Sequence, residues 1–171
     1  MLKENKANQG EAGIAEDTLL RTIEKFNVEY CLALDEGRLY DWAKFFTKDC
    51  RYIILSRENF DAGLPVGLVY CEGRPMLEDR ATAILETSMF APRYLRHFVT
   101  NTFVHYKEGD EIHSGSNYLL TQVLMDKPNA TMHQVGRYVD RFVHEEGVLK
   151  LKERQCIYDN LLLENSLVYP V

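Results

Sequence analysis

The sequence predicts an α+β fold, and two observations carry that expectation. Apolar residues recur at helical spacing through the first half of the chain, from Leu19 to Leu34 and again around Trp42 and Leu77. From Tyr94 onward the period changes to two, and turn formers separate the runs. Helices first and a strand-turn meander afterwards are the signature of segregated helices and an antiparallel sheet. A chain of 171 residues suits one domain able to bury a core without disulfides.

The opening "MLKENKANQGEAG" is polar and without period, so residues 1–15 are expected as a flexible arm and residues 16–171 as a single domain. From Asp17, a candidate N-cap, the residues Leu19, Leu20, Ile23, Phe26, Tyr30 and Leu34 mark one long helix that Gly37 closes. Leu39, Trp42, Phe45 and Phe46 lie on one side of a short second helix, which leads into a strand, "CRYIILSR". "ENFDAGLP" reads as a turn, "VGLVYCE" as a second strand and "GRPMLEDRATAILETS" as a third helix. Four long strands follow, "YLRHFVTNTFVHY", "IHSGSNYLLTQVLM", "TMHQVGRYVDRFVHE" and "VLKLKERQCIYDN", separated by "KEGDE", "DKPNA" and "EEG". In the last, Leu149 and Leu151 alternate with Lys150, Lys152 and Arg154, so one face of that strand is expected to be wet. Five or six twisted strands around a helical hairpin make a half-open cone, either enclosing a ligand or plugged by its own helices.

Composition excludes several partners. A net charge of -6 and few basic clusters argue against nucleic acid and anionic membrane. No apolar run is long enough to span a bilayer. Cys31, Cys50, Cys71 and Cys156 are scattered without close pairing, which leads us to expect free thiols and a cytoplasmic protein.

The chain is poor in catalytic motifs. No cysteine belongs to a C-x-x-C or C-x-x-H unit, and no histidines form an H-x-x-x-H pair. His105 and His113 flank "KEGDE": a three-residue loop would set them opposite each other and a two-residue loop on opposite faces, and either register supplies only two ligands. Neither a G-x-S-x-G elbow nor a glycine-rich phosphate loop is present. His97, in "RYLRHFVTN", is the best acid–base candidate, with Asp35, Asp49 or Asp79 as partner. The competing reading is a histidine that hydrogen-bonds backbone at a sheet edge or interface. In "LEDRATAIL" the residues Leu77, Ala81, Ile84 and Leu85 share a face, Arg80 borders it, and Asp79 points nearly the other way. Asp79 and Arg80 therefore make a poor catalytic dyad, and Arg80 suits an ion pair with a carboxylate on a neighbouring element or chain. The apolar end, Leu167 to Val171, either finishes the domain's own sheet or covers a subunit interface.

Taken together, "WAKFFTKDCRYIILSRENFDAGLPVGLVYCEGRPMLEDRATAI", "YLRHFVTN" and "RQCIYDNLLLENSLVYPV" resemble the small, or β, subunits of Rieske-type aromatic-ring-hydroxylating oxygenases. Within that family the segments look most similar to the small subunits of salicylate 5-hydroxylase and terephthalate dioxygenase. The resemblance implies a nuclear-transport-factor-like cone with about three helices in the N-terminal half. It also implies an α3β3 hexamer with homotypic β–β contacts, served indirectly by ferredoxin and a reductase that draws on NAD(P)H. The large α subunit would carry the Rieske [2Fe-2S] cluster and a mononuclear Fe(II), and this chain would carry no cofactor and no catalytic residue. Asp79, Arg80, His97, Tyr158, Asp159 and Tyr169 are then expected as structural or interface residues. The alternative is a stand-alone cone-fold isomerase or dehydratase using His97 and a carboxylate.

Overall fold

A computed structural model describes residues 2–163 and 167–171, with side chains from residue 16 onward. Helix α1 spans Leu2–Asp35, so it starts well before the expected cap at Asp17. The Ala, Glu, Lys and Gln of that segment are good helix formers and no proline interrupts them. Gly37, at φ +70°, ends the helix in the left-handed conformation, and Arg38 N–H returns to the Ala33 carbonyl. There follow α2 (Leu39–Ala43), β1 (Phe46–Ser56), α3 (Arg57–Asp61), β2 (Val69–Glu72), α4 (Arg74–Thr82) and a π-helical turn over Ala83–Thr87. Strands β3 (Arg93–Glu108), β4 (Glu111–Leu124), β5 (Thr131–Glu145) and β6 (Val148–Tyr158) complete the chain of elements. Helix α3 lies where only a turn was expected, because Ser56 caps it by accepting the Asn59 N–H at 3.2 Å.

The strands form one sheet in the order β2-β1-β6-β5-β4-β3. Every pairing is antiparallel except β1 with β6. The sheet wraps the helices as the expected cone. Ile23, Phe26, Tyr30 and Leu34 of α1 pack with Trp42, Phe46, Tyr52, Tyr138 and Phe142 into its main core. Much of the aromatic content goes into edge-to-face contacts there, Phe26 on Phe142 at 5.0 Å and Trp42 on Tyr52 at 5.3 Å. Each such ring contributes roughly 1.5–3 kcal/mol on burial. No helix among the described residues is long and apolar enough to cross a membrane.

Two irregularities decide where side chains point. In β6, Glu153 faces Arg141 and Leu151 faces Phe142, which leaves Lys152 as an extra residue. That bulge reverses the inside-outside alternation, so Arg154, expected on a wet face, is turned inward and is 0% exposed. In β3 the pairing slips between Thr100 and Phe103, with Asn101 at φ +54°, and again between Val104 and Tyr106. Phe98, Phe103 and Tyr106 are left exposed, as is Tyr94 nearer the strand's start.

Candidate functional site

Polar chemistry concentrates in three places. The first joins α1 to the edge strand β3. Asp35, in the last turn of α1, accepts the His97 main-chain N–H through both carboxylate oxygens, at 3.2 and 3.3 Å, and its Oδ1 lies 2.7 Å from His97 Nδ1. Arg96 Nη1 approaches the same carboxylate at 3.7 Å. Asp35 is thus the partner among the three aspartates considered; Asp49 instead pairs with Lys152, and Asp79 is exposed on α4. Beside this contact runs a groove of about 600 Å³ between α1 and β3, lined by Asn27, Val28, Cys31, Leu32 and residues 97–102. The His97 side chain itself is 0% exposed and its Nε2 has no hydrogen-bond partner. An imidazole with no accessible surface does not present a base to a ligand in the groove. Its geometry is that of a clasp: the carboxylate occupies an N–H on the open edge of the sheet, which would otherwise be free to pair with another strand.

The second is a buried ion pair. Arg154 donates from Nε to Asp140 Oδ1 at 2.9 Å and from Nη2 to Oδ2 at 2.7 Å, and Nη2 also reaches Asn27 Oδ1 at 2.7 Å. Its guanidinium lies between the rings of Tyr30 and Tyr138, 4.2 and 4.0 Å from their centroids. The polar chain continues from Asn27 Nδ2 to Ser116 Oγ and on to Thr102. These groups were not singled out in the sequence, and only the bulge at Lys152 would have revealed them.

The third is the seat of the C-terminal segment. Arg80 Nη2 donates to the Val168 carbonyl at 3.0 Å, so Arg80 holds backbone rather than the expected carboxylate. Tyr169 stands edge-on to Phe90 at 5.3 Å, and burial raises its phenol pKa. Val171 is fully buried in the chain's own core. Tyr158 ends β6 opposite Gly136, and Asp159 N–H donates to the Val135 carbonyl while its carboxylate lies 3.5 Å from Arg57. The six residues singled out are therefore not gathered in one place. Arg80 and Tyr169 share the tail's seat, Tyr158 and Asp159 the end of β6, His97 the clasp, and Asp79 has solvent.

The donor set does not fit an iron centre. Among the described residues no three His, Cys, Asp or Glu side chains are grouped to hold a metal. The four cysteines are buried, and burial pushes the Cys31 thiol up to about 12 and that of Cys50 to about 11, the reverse of what a thiolate ligand needs. The hairpin after β3 closes with Glu108 opposite Glu111, a two-residue loop. His113 stacks on Tyr106 at 4.3 Å while His105 stands beside Phe103 at 4.4 Å.

A family model described as "Ring hydroxylating beta subunit" matches residues 31–165. The chain is 33% identical over 138 residues to the anthranilate 1,2-dioxygenase small subunit of Burkholderia cepacia, covering 81% of this chain and 85% of that protein. It is 26% identical over 149 residues to a terephthalate 1,2-dioxygenase terminal oxygenase component subunit beta of a Comamonas species, covering 87% and 96%. A crystal structure of a beta subunit assigned to an aromatic-ring-hydroxylating dioxygenase of Novosphingobium aromaticivorans superposes with a TM-score of 0.82 at 34% identity, covering 91% of this chain and 98% of that one.

Proposed function

The chain belongs to the ring hydroxylating beta subunit family, and from that premise we propose that it is the non-catalytic small subunit of an oxygenase that hydroxylates an aromatic acid. The observation that carries the reading is the family match over residues 31–165. The named relatives are subunits of dioxygenases for anthranilate and terephthalate, both aromatic carboxylates. A benzoic acid of that kind, salicylate included, is the substrate class we assign to the complex. Oxygen chemistry then belongs to a large α subunit with a Rieske [2Fe-2S] cluster and a mononuclear Fe(II), reduced from NAD(P)H through a reductase and ferredoxin. The scattered donors and buried thiols of this chain support placing the iron on that partner.

The role left to this chain is mechanical. We assign it to the cytoplasm, in an α3β3 assembly built on contacts between small subunits and between small and large ones. Tyr94, Phe98, Phe103 and Tyr106 are exposed on one strand. Aromatic side chains of that kind are enriched in subunit interfaces, and obligate interfaces bury upward of roughly 2,000 Å². The competing cone-fold isomerase or dehydratase would use the His97–Asp35 contact, but the imidazole is shielded from the groove.

The test is reconstitution. The chain is produced alone and together with a large subunit of the anthranilate or terephthalate type, then compared for mass, iron content and hydroxylation with reductase present. Iron and turnover are expected only in the joint preparation, at the mass of a hexamer. Conversion of an organic compound by the isolated chain would overturn the reading, as would a failure of the two subunits to associate.

A further inference from the structure

A pocket of about 370 Å³ opens where the middle of α1, the α2 segment and the start of β6 meet. Thr22, Lys25, Phe26 and Glu29 line it from one side of α1, at the i, i+3, i+4, i+7 spacing that aligns side chains along a helix. Phe26 and Phe45, edge-to-face at 5.2 Å, give it an aromatic floor, and Phe142 backs Phe26 at 5.0 Å from within the core. The Leu151 N–H donates to the Phe45 carbonyl at 2.9 Å, which ties β6 to the residues that follow α2. The cavity is therefore preformed, with walls fixed by the packing behind them.

Its charged lining is unbalanced. Lys25, Arg38, Lys44 and Lys150 stand against Glu29 and Asp41, an excess of positive charge in a chain of net charge -6. Asp41 accepts from Lys44 at 2.9 Å and from Arg38 at 3.3 Å, and Glu36 holds Arg38 as well, at 2.8 Å. Lys25 and Lys150 are placed differently. Lys25 Nζ lies 3.7 Å from Glu29, within ion-pair range but beyond a hydrogen bond, and Lys150 Nζ donates at 2.5 Å to a neutral acceptor, the Lys44 carbonyl. Two cations from two elements thus border one aromatic-floored cavity, and among the described residues neither is hydrogen-bonded to a carboxylate. An anion between them would be attracted by both, while Glu29 and Asp41 would repel a second negative charge. A monoanion fits that rim better than a phosphate or a dicarboxylate does.

We propose that this pocket binds a one-ring aromatic carboxylate, the ring against Phe26 and Phe45 and the carboxylate between Lys25 and Lys150. A third ring can add offset or edge contacts to the pair already there. The volume lies near the lower end of the range for small-molecule sites, which suits one ring rather than several. The proposal stands apart from the subunit reading, because every group it uses belongs to this chain.

The test titrates the full chain, labelled with ¹⁵N, with benzoate, with benzamide as the same ring without charge, and with acetate as the same charge without ring. Benzoate is expected to shift one saturable set of amide resonances around Phe26, Phe45 and Lys150. Its dissociation constant is expected on the order of 1 mM, the scale open to a ligand of so few atoms. Benzamide and acetate are expected to bind at least about tenfold more weakly, since each forfeits either the charge-assisted bonds or the ring contact. Added salt is expected to weaken benzoate and leave benzamide unchanged. Lys25→Met and Lys150→Met are each expected to lower benzoate affinity about threefold, and together about tenfold. Lys25 is 79% exposed, so Lys25→Glu leaves the core intact and is expected to abolish binding even if a Lys150 variant is unstable. Benzoate that fails to saturate, that binds no more tightly than benzamide, or that binds Lys25→Glu as it binds the native chain overturns the proposal. Binding is read on the single chain, so its loss leaves the subunit reading standing, and a failure to assemble with a large subunit leaves the pocket standing.

Discussion

Arg154 and Asp140 stand directly opposite each other on β6 and β5, joined by two hydrogen bonds with neither side chain exposed to water. Such a pair contributes little net stability over an apolar replacement, yet removing one partner strands a charge in the core. Arg154→Met is expected to cost about 3–5 kcal/mol. Arg154→Met combined with Asp140→Leu is expected to recover at least half of that, although Asn27 loses a donor in both. Guanidinium denaturation of the two variants checks the order; a double variant as unstable as the single one would show that packing, not charge, sets the cost.

Arg154 also marks where sequence reasoning reached its limit. The spacing of Leu149 and Leu151 identified the strand and its inward face, but period two holds only while pairing is regular. The extra residue at Lys152 is invisible in the sequence because a bulge depends on the partner strands as much as on the bulged one. Apart from α3, the order of elements was legible, as were the closing role of Gly37 and the core residues of α1, because helical periodicity is local. The pairing of His97 with Asp35 spans 62 positions, and the sequence narrowed it only to three aspartates. The tail's place was open between interface and core, since apolar character says that a segment is covered but not by what; Val171 is covered by its own chain.

The clasp between α1 and β3 gives a second prediction. Asp35→Ala removes the acceptor of the His97 main-chain N–H and the partner of its ring, leaving two polar groups unsatisfied in a nearly closed site. The expected loss is about 1–3 kcal/mol in the isolated chain. His97→Ala is expected to lower stability or assembly while turnover per intact complex, measured after size-exclusion purification, stays unchanged. A stable, fully assembled His97→Ala complex without turnover would restore the acid–base reading.

Gly136 tests the close approach of β5 to β6. A Cβ there would lie 2.0 Å from the Ile157 carbonyl oxygen, which belongs to backbone and has no flexible side chain to yield. Gly136→Ala is expected to cost at least about 3 kcal/mol, by overpacking against a paired strand. Gly63 offers the comparison: its φ is +66° with open space around it, so Gly63→Ala carries only the backbone term of about 1–2 kcal/mol. Melting temperatures of the two variants, measured side by side, should differ in that order.

The buried thiols predict the alkaline limit of stability. Burial raises the Cys31 thiol to about 12 and the Cys50 thiol to about 11, from a usual value of 9.0. Between pH 9 and those values the unfolded chain releases thiol protons that the folded chain retains. Unfolding is then favoured as pH rises, so the contribution is whole below pH 9 and is lost as pH climbs through the folded values. Each such thiol subtracts up to about 1.4 kcal/mol per pH unit in that window. Phenols raised by burial, Tyr52, Tyr118 and Tyr138 among them, add the same sign, but only from pH 10 upward, where an ordinary tyrosine begins to ionise. The interval from pH 9 to 10 therefore reports mainly on cysteine. Urea midpoints at pH 8, 9 and 10 should fall with pH in the native chain and fall less steeply in a Cys31→Ala, Cys50→Ala double variant. An equal slope in both would mean that the thiols ionise in the folded chain as freely as in the unfolded one, which their burial forbids.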